Sequence, residues 1–76
     1  MKQYGIHVVP GDHDDWVVKE DGGRELGHYP VKPTAETVAL MVARKRRVEM
    51  IVHDRSGAVE RRSRPSRSWL AGLFAR

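Results

Sequence analysis

Between Ala43 and Arg64 the chain reads ARKRRVEMIVHDRSGAVERRSR, eight arginines and lysines around one apolar run. A planar guanidinium presents paired N–H donors that match two oxygens of a phosphate, so such a cluster has the chemistry to hold a polyanion. The cations fall into two groups. Arg44, Lys45, Arg46 and Arg47 close a helix-like stretch, where each offsets the negative end of the helix dipole by about 0.3–1 kcal/mol without any ligand. Arg55, Arg61, Arg62, Arg64 and Arg67 need a further reason and form the expected polyanion-binding set. The competing explanation for them is an edge strand charged against aggregation.

Other reactive residue types point to little chemistry. Asp12, His13, Asp14 and Asp15 crowd one loop, and hard cations favour clustered oxygens, but the closing Glu of a calcium loop is missing. A hydrated turn is the expectation there. His7 and His53 sit on strand-like runs that could approach one another, yet isolated strand histidines read first as surface or satisfied polar groups. Four histidines without cysteine leave zinc or nickel open only in principle. Ser56, Ser63, Ser66 and Ser68 lie in polar, arginine-rich segments with no nucleophile elbow. "DGGR" is a hairpin turn, not a phosphate loop. The expectation is a protein that is not an enzyme and needs no cofactor or metal.

Base recognition fares no better. The aromatic residues are Tyr4, Trp16, Tyr29, Trp69 and Phe74, and Trp16 is expected in the core. No zinc-finger, helix-turn-helix or ribonucleoprotein signature is present, so nucleic-acid binding would be electrostatic and weakly sequence-specific.

A third class of chemistry lies in the tail. Trp69, Leu70, Leu73 and Phe74 fall on one side of a helical wheel, flanked by Arg67 and Arg76. Two turns do not hold a helix alone, and Gly72 costs roughly 1 kcal/mol relative to Ala. The tail is expected to dock on its own domain or on a neighbouring subunit, in preference to a membrane.

These groups must be positioned by one small domain. The chain has 76 residues, 39% hydrophobic and 32% charged, with no cysteine to staple it. The net charge of +4 conceals an asymmetry: residues 1–43 sum to −3 and residues 44–76 to +7. Such polarity suits a polyanion surface or an acidic-to-basic self-association. The first fifteen residues have no apolar signal core and no run is long enough to span a bilayer, so the expected compartment is the cytoplasm.

Strand-like alternation marks Ile6 to Val9, Trp16 to Lys19 and Arg24 to Tyr29, separated by Gly/Asp turns. Ile6, Val8, Trp16, Val18 and Leu26 are the expected core-facing residues. Pro30 and Pro33 then interrupt the pattern. Thr34 is the expected N-cap of a helix, with Glu36 near its positive end. Val38, Met41, Val42 and Lys45 follow helical spacing, with Ala35 and Ala39 beside them, and predict the buried face. Val48 to His53 and Val59 to Arg62 read as a closing hairpin around "DRSG". Its expected register pairs Val52 with Val59, which puts Met50, Val52 and Val59 on one face and Ile51 on the other.

"HVVP" (His7 to Pro10), the Gly/Asp turn, "WVVK" (Trp16 to Lys19), the alanine-containing helix and "IVHDRSGAV" (Ile51 to Val59) together resemble the small bacterial domain of unknown function 2188 family. The resemblance spans roughly residues 6 to 62. It implies an α+β domain with a strand-rich start, one helix and a final hairpin, and it brings no known activity or catalytic residue. Three departures stand out: Thr37 where the family places a Glu, a short helix-to-hairpin connection without its glycine, and the Arg-rich, Trp-containing C-terminus.

The sequence thus predicts a single small α+β domain over residues 1–63, ordered β-β-β-α-β-β, with one helix on an antiparallel-rich sheet. Residues 64–76 form an Arg-rich linker and an amphipathic tail. The expected function is a non-catalytic binding module for nucleic acid or another polyanion. The alternative is a protein-interaction or self-association module, working as a homo-oligomer or with a protein partner through the tail.

Overall fold

The computed structural model describes residues 5–64. Its elements are β1 (Ile6–Pro10), β2 (Trp16–Glu20), β3 (Glu25–Tyr29), α1 (Lys32–Arg46), β4 (Met50–His53) and β5 (Val59–Ser63). This is the α+β order predicted by the alternation and turn signals. The strands form one mixed sheet, ordered β3-β2-β1-β4-β5. Three pairings are antiparallel, and β1 and β4 run parallel in the middle.

Alternation along the strands gives the sheet one face toward α1 and one face away from it. Ile6, Val8, Trp16, Val18, Met50 and Val52 turn toward the helix and are buried, with Leu26 packed beside them. The expected strand contribution to the core is therefore present. At the edge of this core the Trp16 ring meets Lys32 Nζ at 5.1 Å and the Arg55 guanidinium at 5.6 Å from its centroid.

The helix face differs from the expectation. Ala35, Ala39 and Ala43 form the buried stripe, while Met41 is 65% exposed. Leu40 and Val42 only flank the core. The reason is steric: long sheet side chains already fill the layer, and beneath the helix axis only methyl groups fit. Thr34 is not the N-cap. The helix begins at Lys32 after an extended Val31, with Pro33 in the first turn, where its missing N–H costs nothing. Glu36 lies beyond the first turn and meets Arg61 at 3.3 Å instead of the dipole.

The hairpin register also departs. His53 pairs with Val59 and Val52 with Arg61, with an irregularity between Val52 and His53 that leaves Glu60 as the extra residue. Val59 therefore falls on the helix-free face and is 48% exposed. Ile51 does point away from α1, yet surrounding side chains leave it only 5% exposed. Gly57 takes φ 91° in the connecting turn, as expected of a glycine there.

Candidate functional site

The helix-free face gathers most of the titratable residues that the strands bring together. On β1 and β4, Ile6, His7 and Val8 pair with Met50, Ile51 and Val52, so His7 and His53 are diagonal neighbours on that face. Nδ1 of His7 lies 2.9 Å from Nε2 of His53. Nδ1 of His53 lies 3.0 Å from the Gly57 carbonyl oxygen and donates to it. Nε2 of His7 meets Oδ1 of Asp21, which extends from the β2–β3 turn. The other carboxylate oxygen of Asp21 accepts the Gly5 N–H at 3.1 Å.

The chain of contacts has a definite proton requirement. A carbonyl and a carboxylate close its two ends, and both accept. Three contacts across four ring nitrogens therefore need three protons, whereas two neutral imidazoles carry two. The chain closes fully with one proton beyond two neutral rings and an ionised carboxylate. Every ring nitrogen is engaged, so neither histidine offers a free lone pair to a metal in this arrangement. Among the described residues no group of three or more His, Asp or Glu side chains could hold a metal ion. A shallow groove of about 400 Å³ lies beside the pair, lined by His7, Val9, Lys19, Asp21 and His53.

A second histidine site stands on the same face. His28 Nδ1 meets Asp15 at 3.0 Å and its Nε2 meets Glu25 at 2.9 Å. The Glu25 carboxylate, with Asp15 after it, holds the His28 imidazole above the ordinary histidine range. His28 in turn holds Asp15 below the usual carboxylate range. The acidic loop is thus tied down through Asp15, while Asp12 and Asp14 are exposed. A Cβ at Gly11 would fall 2.0 Å from Asp15 Oδ1, so a larger residue there would displace the Asp15 carboxylate.

The arginines of the predicted polyanion set are spread over the fold. Arg55 sits in the β4–β5 turn, 3.1 Å from Asp14. Arg61 lies on the helix side with Glu36. Arg62 and Arg64 come together, sharing Glu49 at 2.7 and 3.3 Å. Arg67 and the tail residues Trp69, Leu70, Leu73 and Phe74 lie outside the described residues.

The chain directions decide where charge collects. β1, β3 and β4 run one way, β2, α1 and β5 the other. One end of the domain therefore holds the β2–β3 turn, the C-terminus of α1 and the end of β5. Among the described residues it collects Arg24, Arg44, Lys45, Arg46, Arg47 and Arg64 around Glu20, Asp21 and Glu49. Arg46 is bound to Glu20 at 2.5 Å. The opposite end holds Asp12, Asp14, Asp15 and Asp54 with Lys32 and Arg55. No helix of the described residues is long and apolar enough to cross a membrane.

The meeting of His7 and His53 is only half legible in the sequence. Their shared strand phase is a signal, but the parallel β1–β4 pairing that joins them is announced by no local pattern. Asp21 carries no signal, because it enters from a turn.

Residues 6–64 match the model of a family described as "Uncharacterized protein conserved in bacteria (DUF2188)". That is the family resembled by the "HVVP" and "IVHDRSGAV" stretches. No curated protein and no solved structure matches the chain.

Proposed function

We propose that this chain, which belongs to the DUF2188 family of uncharacterized bacterial proteins, is a non-catalytic binding module for a polyanion, with nucleic acid as the favoured partner. The observation that supports this reading is the sorting of charge by end. Residues 5–64 hold eleven Lys and Arg against ten Asp and Glu, so excess charge alone would give little attraction. Placing six of the cations at one end against three carboxylates creates a local positive surface. Arg64, at the end of β5, stands on that same surface.

The reading shifts weight within the basic half. Arg55 stands at the acidic end, and Arg61 and Arg62 are engaged by Glu36 and Glu49. Lys45 and Arg47 at the helix end, first explained by the dipole, become the principal phosphate contacts together with Arg24. Recognition would be of backbone charge, since no aromatic platform accompanies these side chains.

The test is a titration of single- and double-stranded oligonucleotides at several salt concentrations, with light scattering on the same samples. Contact with four to six phosphates gives a slope of log affinity against log salt of roughly −3 to −5. Absence of binding to either oligonucleotide at low salt overturns the reading. A salt-insensitive oligomer in the scattering arm would favour self-association through Trp69, Leu70, Leu73 and Phe74 instead.

A further inference from the structure

We infer that the Asp21–His7–His53 chain is a proton-operated latch across the helix-free face of the sheet. It joins the β2–β3 turn through Asp21, β1 through His7, and β4 through His53, and ends locally on the Gly57 carbonyl of the β4–β5 turn. The start of β1 is tied in as well, because the Gly5 N–H donates to Asp21.

Its operation follows from the proton count. With one proton fewer, two ring N–H groups must serve three contacts, and one of the three opens. With one proton more, hydrogens stand on both ring nitrogens that face each other across 2.9 Å, and the pair is driven apart. The latch is closed only at the intermediate count. Both departures from that count loosen the same face.

The surroundings give opening a consequence. Ile51 is the direct cross-strand neighbour of His7 and, at 5% exposed, is covered on the face that has no helix. Releasing His7 uncovers Ile51 and the Val9 floor of the groove. The charged neighbours are Lys19 and Asp21 from β2 and its turn, Glu25 and His28 from β3, Glu49 and Asp54 on either side of β4, and Arg62 from β5. Glu20 is taken up by Arg46. Asp21 is the acid that touches the histidine pair, which makes it the point at which the proton requirement can be altered.

Asp21→Asn tests this selectively. An asparagine supplies its own N–H to His7 Nε2 and keeps a carbonyl oxygen for the Gly5 N–H, so the chain closes with two neutral rings. Nitrogen NMR of both imidazoles, Gly5 amide exchange and urea midpoints are followed across pH in the full chain, in the wild type, Asp21→Asn and His53→Gln. The wild type is expected to be most stable at an intermediate pH, where one proton lies between Nδ1 of His7 and Nε2 of His53. The alkaline loss of stability and of Gly5 protection disappears in Asp21→Asn, and His53→Gln removes both limbs. A proton on both or on neither of those two nitrogens at that pH, or an unchanged alkaline limb in Asp21→Asn, overturns the latch. The wild-type nitrogen spectrum and Asp21→Asn decide the matter even where His53→Gln does not fold. None of these readouts requires a polyanion, so the latch and the binding reading fail separately.

Discussion

Ala39 and Met41 stand on opposite sides of α1: Ala39 has no exposed surface, whereas Met41 is 65% exposed. Residues two positions apart in a helix are separated by about 200° around the axis, so one cannot face the sheet while the other does. Ala39→Leu should therefore overpack the helix–sheet interface and cost about 1–3 kcal/mol. Met41→Ala should change stability by no more than about 0.5 kcal/mol, although methionine is the larger side chain. Urea midpoints of the two variants check the order.

Why the larger residue reads as core from sequence is instructive. α1 carries two overlapping apolar stripes, one through Val38, Met41 and Val42 and one through Ala35, Ala39 and Ala43. Hydrophobic spacing cannot choose between them, because the choice is made by the volume of the sheet residues beneath. Strand phase was legible for Ile6, Val8, Trp16 and Val18 because a period of two leaves no such ambiguity. The β5 register was not, since a single extra residue, Glu60, moves Val59 to the other face. The same limit applies to the charged residues. Arg61 and Arg62 could be named as cations, but their partners Glu36 and Glu49 are supplied by tertiary packing.

Ion pairing bears directly on polyanion binding. Lys45 and Arg47 stand in no ion pair among the described residues, whereas Arg62 and Arg64 share Glu49. Replacing Lys45 or Arg47 by Ser should reduce the salt slope by about 0.9 for each phosphate that is no longer neutralised. Glu49→Gln should act in the opposite direction, releasing two arginines and raising affinity at low salt. Fluorescence anisotropy with a labelled oligonucleotide reads both effects, and equal behaviour of all three variants would contradict the charge-sorting account.

The His28 bridge predicts a pH window. Glu25 and Asp15 raise His28, so its contribution is full below the ordinary histidine range and is lost as pH rises through the raised value. His28 lowers Asp15, so that contribution is present above the ordinary carboxylate range and is lost as pH falls through the depressed value. The stability difference between wild type and His28→Gln should peak between these two ranges and shrink on both sides. Added salt should diminish it, because the pair is exposed. Urea titrations of both proteins over pH, at low and high salt, supply the comparison.

Arg47 closes α1 with φ 59° and ψ 45°, a left-handed conformation that glycine adopts without penalty and other residues do not. Its amide donates to the Arg44 carbonyl at 3.2 Å, and the Val48 amide reaches Ala43 at 3.0 Å, which is what holds this turn in place. Comparing Arg47→Gly with Arg47→Ala isolates the backbone, because both variants remove the same cation from the same end of the helix dipole. In a helix interior alanine would be the more stable choice by roughly 1 kcal/mol. Here the order should reverse, with Arg47→Gly more stable than Arg47→Ala by about 1 kcal/mol. Both should weaken polyanion binding to the same extent, because the charge removed is identical. Chemical denaturation gives the first comparison and the salt titration the second. An alanine variant as stable as the glycine one would mean that the left-handed turn is not kept in solution, and with it the placement of the basic helix end.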